Sequence, residues 1–208
     1  GGGDWTQTIV DLGAGDHAMR IARGTATQAV NNIVYNPLET AGDIDVVAAF
    51  TLNTTWDNNY FSGAVLLAAS NEGYGIRYSS DSGPEAFRLG RFAANGINAS
   101  SIGTYFPLAN PTAGTVIWDR VKRVGTTLSG WVWTGTAGDM PADPLWSGTN
   151  SSLTTVKPGF HGQRTGDQPY TCLYFAVGTG ADNAPMPGGS SIPIAAIASM
   201  NRRGAEWF

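Results

Sequence analysis

The sequence is poor in charge, in cysteine and in long apolar runs. Asp, Glu, Lys and Arg make up only 13% of its 208 residues, and the net charge is −4. That balance argues against a nucleic-acid partner, because phosphate binding draws on clustered Lys and Arg. Arg120, Lys122 and Arg123 are the nearest approach to a basic patch. Strand alternation sets Arg123 apart from the other two, and the three read as solvated strand positions. The single cysteine, Cys172, cannot form an internal disulfide, and its setting in TCLYFAV suits a small buried hydrophobe. No run approaches the roughly 20 apolar residues of a membrane-spanning helix. The best, Ile192 to Met200, is short and contains Pro193, so no membrane insertion is expected.

Reactive motifs are scarce as well. His17 and His161 are the only histidines and belong to no HExxH or Cys/His cluster, so no zinc site and no cofactor are expected. There is no Gly-x-Ser-x-Gly nucleophile elbow. Gly13-Ala14-Gly15-Asp16-His17-Ala18 fits a relaxed dinucleotide-binding pattern, but strand-like residues follow it where a helix would be required, which makes it a turn.

What the chain does have is punctuation. Twenty-eight glycines and eleven prolines break it into short segments of strand character. These fall near Gln7–Asp11, His17–Arg23, Thr27–Val30, Ile33–Tyr35, Asp43–Leu52, Phe61–Ser70, Gly75–Ser79, Ala86–Ala93, Ala99–Tyr105, Thr115–Val124, Thr127–Thr134, Val156–Gln163 and Thr171–Gly178. With no heptad and no repeat of 20 to 50 residues, the pattern predicts an all-β, antiparallel two-sheet sandwich. Gly1–Gly3 reads as a tag remnant or boundary, 4–182 as the sandwich domain, 183–191 as a Pro- and Gly-rich linker, and 192–208 as an apolar C-terminal arm. Ile194, Ile197, Met200, Arg202, Arg203, Trp207 and Phe208 are the arm's candidate assembly contacts. Exposing its apolar side chains forgoes about 1.5–3 kcal/mol each, so the arm either packs back on its own sandwich or docks on a neighbouring subunit.

Three groups of residues invite a chemical reading. Trp56-Asp57-Asn58-Asn59-Tyr60 joins two long strands and combines two aromatic rings with hydrogen-bonding side chains. Sugar sites are built in this way, although aromatics at strand ends also cap cores. Glycosidases on sandwiches of this kind carry paired carboxylates on one strand face. Asp43 and Asp45 would share a face, but Ala48 stands where the second acid is needed, so no catalytic residue is assigned and the chain is expected not to be an enzyme. Asp139, Asp143 and Asp182 sit in loops that suit calcium, and Asx turns explain them equally well. In Thr127–Thr134, Trp131 and Trp133 share a face that is either core or an exposed stacking platform.

The order Trp118-x-Arg120, Gly125-Thr126-Thr127-Leu128, Trp131-Val132-Trp133, then a Pro-containing turn and Trp146, resembles the concanavalin-like (laminin G-like) jelly rolls of phage tail fibres, spikes and head-decorating proteins. Tyr174 to Pro185 resembles the closing strand and Gly-rich turn of the same group. The resemblance is clearest over Gly42 to Pro187. It implies a non-enzymatic virion surface protein, fibre or decoration, in a homo-oligomer attached to other virion proteins, with a host surface glycan as candidate ligand. The alternatives it leaves are a carbohydrate-binding module of a secreted protein and a polysaccharide-cleaving enzyme on the same fold. Gly138-Asp139-Met140-Pro141-Ala142-Asp143-Pro144 departs from the group in being longer before its turn proline.

Overall fold

The computed structural model describes residues 5–13, 16–23, 29–34, 38–52, 60–70, 72–79, 86–92, 99–102, 106–107, 111–164, 170–180 and 182–187. They form fourteen strands: β1 (Trp5–Gly13), β2 (Asp16–Arg23), β3 (Ala29–Val34), β4 (Ile44–Leu52), β5 (Tyr60–Leu67), β6 (Gly73–Ser79), β7 (Ala86–Phe92), β8 (Ala99–Ser101), β9 (Phe106–Pro107), β10 (Val116–Val124), β11 (Thr127–Thr134), β12 (Trp146–Thr149), β13 (Lys157–Arg164) and β14 (Tyr170–Thr179). A 3₁₀ turn at Ala137–Asp139 is the one helical element among the described residues.

Sheet I has the order β1-β2-β14-β4-β10-β11-β12, and sheet II runs β3-β13-β5-β6-β7-β8 with β9 beside β7. Every pairing is antiparallel. The expected two-sheet sandwich is therefore what forms. Three boundaries differ from expectation. The described parts of the expected strands Thr27–Val30 and Ile33–Tyr35 belong to the single strand β3, whose Asn31 and Asn32 pair with Gly162 and His161; Thr27, Gln28 and Tyr35 lie outside the described residues. Of the expected strand Ala99–Tyr105, Ala99–Ser101 forms the short β8, with β9 following at Phe106–Pro107, and residues 103–105 lie outside the described residues. Strand β12 was not anticipated; it exists because Trp146–Thr149 finds register against Gly130–Thr127.

The β10–β11 hairpin behaves as its alternation predicts. Gly125 supplies the turn with φ +57°, a left-handed conformation that other residues adopt at a cost. Along β11, Leu128 and Val132 face the space between the sheets, with Ile117 and Val121 of β10 and Ile44, Val46, Ala48 and Phe50 of β4. Phe50 meets Phe160 of sheet II edge-on, with ring centroids 6.0 Å apart. Cys172 is buried in this core as a free thiol, and burial raises its pKa.

The opposite face of sheet I is covered too. Val47, Ala49, Trp118, Trp131, Trp133, Leu173, Tyr174 and Ala176 form a second apolar cluster, roofed by Ala184 and Met186 and by Ala137 and Met140 of the 3₁₀ turn region. The stretch beginning at Asn183 thus lies against sheet I over its described part. The arm residues Ile194, Ile197, Met200, Arg202, Arg203, Trp207 and Phe208 lie outside the described residues.

Candidate functional site

The aromatic rings of sheet I form a packed layer. Trp118 and Trp133 stack with centroids 5.8 Å apart and planes 12° apart, and Tyr174 lies 5.7 Å from Trp118. Their polar tips bond to the covering loops: Trp118 Nε1 donates to the Gly135 carbonyl at 3.1 Å, Trp133 Nε1 to that of Thr136 at 2.9 Å, and the Tyr174 hydroxyl to that of Pro185 at 2.7 Å. Of the two roles open to Trp131 and Trp133, the structure assigns core. Tryptophans buried to this degree offer no stacking surface to a sugar.

The charged residues here serve the same layer. Arg120 donates through Nε and Nη2 to the two carboxylate oxygens of Asp45, and its guanidinium carbon lies 5.0 Å from the centroid of the Trp131 ring. Asp45 Oδ2 also accepts the Ala184 N–H at 2.8 Å, which fixes the covering segment in place. Trp131 Nε1 is buried without an acceptor among the described residues. The reading of Arg120 and Arg123 as solvated is corrected: they are 6% and 2% exposed, because both faces of β10 are covered.

A pocket of about 290 Å³ opens at the end of the sandwich that carries the Gly125 turn. It is lined by Ala41, Arg123, Gly125, Thr126, Asn150, Ser151, Leu153 and Thr154. Arg123 builds its wall. Nη1 donates to the carbonyls of Leu153 (3.2 Å) and Thr154 (3.3 Å), and Nη2 to those of Thr40 (3.0 Å) and Gly42 (2.7 Å). Its Nε is buried with no hydrogen-bond partner among the described residues. Burial lowers the Arg123 pKa, with Tyr74 and Asp43 acting in the opposite direction.

The pocket's far wall is wrapped around the Tyr74 hydroxyl, which donates to Asn150 Oδ1 at 2.8 Å and accepts the Leu153 N–H at 3.0 Å. Asn150 Oδ1 takes the Ser152 N–H as well, and the Asn150 N–H reaches the Thr126 carbonyl at 2.9 Å. The backbone is thereby committed, whereas the side-chain hydroxyls of Thr126, Ser151 and Thr154 and the Asn150 amide nitrogen carry no hydrogen bond among the described residues. Uncommitted donors and acceptors around one concave apolar surface are the elements of a small-ligand site.

Three of the acids nominated by the sequence, Asp43, Asp45 and Asp139, are structurally employed. Asp43 Oδ1 accepts the Gly125 N–H at 2.8 Å, and Asp45 is bound to Arg120 and Ala184. Asp139 accepts the Thr136 N–H and hydroxyl at 2.7 and 2.8 Å, bonds that lower its pKa. No group of three or more His, Cys, Asp or Glu side chains is arranged to hold a metal ion among the described residues. His17 and His161 lie on β2 and β13. Trp56, Asp57, Asn58 and Asn59 lie outside the described residues, and Tyr60 begins β5. Strand β4 starts beside the Gly125 turn and ends at Leu52, so the connection to β5 leaves from the end of the sandwich opposite the pocket.

Sequence reasoning did not find this pocket. Its residues come from four separate places, 41, 123 with 125 and 126, 150–151 and 153–154, with no common spacing. The available signal was the polar run Asn150-Ser151-Ser152, which reads equally well as an ordinary turn.

No protein-family model matches the chain, and no curated protein does. Solved structures do match in fold. One is a functionally unknown protein from Saccharomyces cerevisiae, with 10% identity over 86% of this chain and 97% of the other and a TM-score of 0.56. Peanut lectin matches at 14% identity over 84% and 89%, with a TM-score of 0.54. The alginate lyase from Klebsiella pneumoniae matches at 11% identity over 84% of each chain, with a TM-score of 0.55. At such identities the likeness is one of architecture: the chain is a concanavalin-like jelly roll.

Proposed function

We propose that this chain is a non-catalytic attachment module that holds carbohydrate in the pocket beside the Gly125 turn. The observation that carries the reading is the set of uncommitted side-chain groups around the pocket, the Asn150 amide and the hydroxyls of Thr126, Ser151 and Thr154, above the apolar Leu153. Sugars present this mixture of hydroxyls and C–H surface. Two neighbours in fold, a lectin and an alginate lyase by name, make carbohydrate the natural ligand class to test. A binding role is favoured over cleavage by the carboxylates. Asp45 faces outward into its ion pair and Asp119 faces inward, so these two cannot act as the paired acids of a glycosidase.

A virion setting is a second reading, favoured by the Trp118 to Trp146 pattern. There the module would be displayed in many copies as fibre or decoration. A carbohydrate-binding module of a secreted protein fits the same pocket.

The test is incubation of the full chain with bacterial surface polysaccharides, measuring co-sedimentation and released reducing ends. Retention without cleavage is expected, and Thr126→Ala combined with Ser151→Ala is expected to abolish it. Released ends would favour a polysaccharide-cleaving enzyme; no retention would overturn the carbohydrate reading.

A further inference from the structure

The pocket borders a positive charge that its surroundings leave largely unanswered. Arg123 is 2% exposed, and its four hydrogen bonds all go to neutral carbonyl oxygens. None of the ion pairs among the described residues involves it. Arg120 shows the contrast, since on the same strand and equally covered it has a carboxylate to itself in Asp45. Carbonyl dipoles solvate a guanidinium without neutralising it, so a net charge persists in the pocket wall. Asp43 is a carboxylate that acts on Arg123 from nearby, and its Oδ1 is already taken by the Gly125 N–H.

We infer that the pocket takes a single sugar ring bearing a carboxylate, in preference to a neutral sugar. The inference rests on the carbohydrate reading and deepens it. Size limits the occupant: about 290 Å³ lies at the small end of the roughly 300–1,000 Å³ range of ligand sites, with room for one ring and not for a length of chain. Charge selects among rings, because a carboxylate seated here answers Arg123, whose own hydrogen bonds all go to neutral carbonyls. The hydrogen bonds come from the Asn150 amide nitrogen and the hydroxyls of Thr126, Ser151 and Thr154, so Arg123 contributes its field and keeps its carbonyl partners. Asp43 opposes the anion and so sets the strength of the preference.

Glucuronate, glucuronamide and glucose distinguish charge from shape, with binding followed through the backbone amide NMR signals of Thr126, Ser151 and Leu153. Glucuronate is expected to bind at least about tenfold more tightly than glucuronamide. Its affinity should fall as salt is added. Asp43→Asn keeps an oxygen for the Gly125 N–H while removing the opposing charge. It should tighten glucuronate by about threefold and leave glucuronamide unchanged. Equal affinity for glucuronate and glucuronamide overturns the inference and leaves the carbohydrate reading standing. So does the absence of any shift with glucuronate in a chain that still co-sediments with polysaccharide. No shift with any of the three sugars, together with no co-sedimentation, overturns both.

Discussion

Asp45 and Asp119 stand on adjacent strands of sheet I, each about 1% exposed, and they meet burial in opposite ways. Asp45 faces the aromatic layer, where Arg120 and the Ala184 N–H satisfy both of its oxygens. Asp119 faces sheet II, and no cation pairs with it among the described residues. The Ala64 N–H alone reaches across to it, at 3.0 Å to one oxygen and 3.1 Å to the other. Desolvation by burial lifts the Asp119 carboxyl well above the ordinary carboxylate value, more than the N–H groups of Ala64 and Asp119 itself pull it down. The comparison teaches that a buried acid either keeps its charge with a partner or gives the charge up. Sheet I uses both solutions within one pair of strands.

The largest expected break in that comparison lies outside both residues. Asp119 fits because Gly63, at φ +110°, leaves a notch in sheet II, and a Cβ there would lie 1.9 Å from Asp119 Oδ2. Gly63→Ala should cost more than about 4 kcal/mol or prevent folding, read as a lost cooperative transition in denaturant. Adding Asp119→Ala should restore part of it, leaving the left-handed backbone strain of roughly 1–2 kcal/mol. If the double variant is no better than the single, the notch is not there for the carboxyl.

Next in size is Asp45→Ala. It strands the Arg120 charge and frees the Ala184 N–H, with an expected loss of about 3–5 kcal/mol in the denaturant midpoint. A loss below about 1 kcal/mol would place the pair among weak surface bridges and erase the contrast.

Asp119→Asn should be the mildest, within about 1.5 kcal/mol of the parent near neutral pH, and its information lies in the pH profile. The folded pKa of Asp119 is raised, so the folded state holds the proton that the unfolded chain releases near 3.8. The stabilisation is complete below that value and is lost as pH rises toward the folded pKa. Subtracting the Asp119→Asn profile from that of the parent should isolate this decline; parallel profiles would show that Asp119 titrates normally.

How much of this was legible depends on whether a signal is local. Alternation in β10 and β11 set Trp131 and Trp133 on one face and Leu128 and Val132 on the other, and the structure keeps that division. Alternation says nothing about what covers each face. Arg120 and Arg123 therefore read as solvated until Asn183–Pro187 and the Thr40 and Leu153 loops are seen to enclose them. Strand β12 escaped notice because Ser147-Gly148-Thr149 is turn-like by composition, and only its register against β11 makes it a strand. The pocket was illegible for the same reason, since distant segments create it and no spacing announces it.

Arg123 ties the approach to β4, the end of β10 and the approach to β13 into a single knot. Here one guanidinium has already quieted them, so an incoming molecule would meet a surface set in advance and lose little entropy in ordering it.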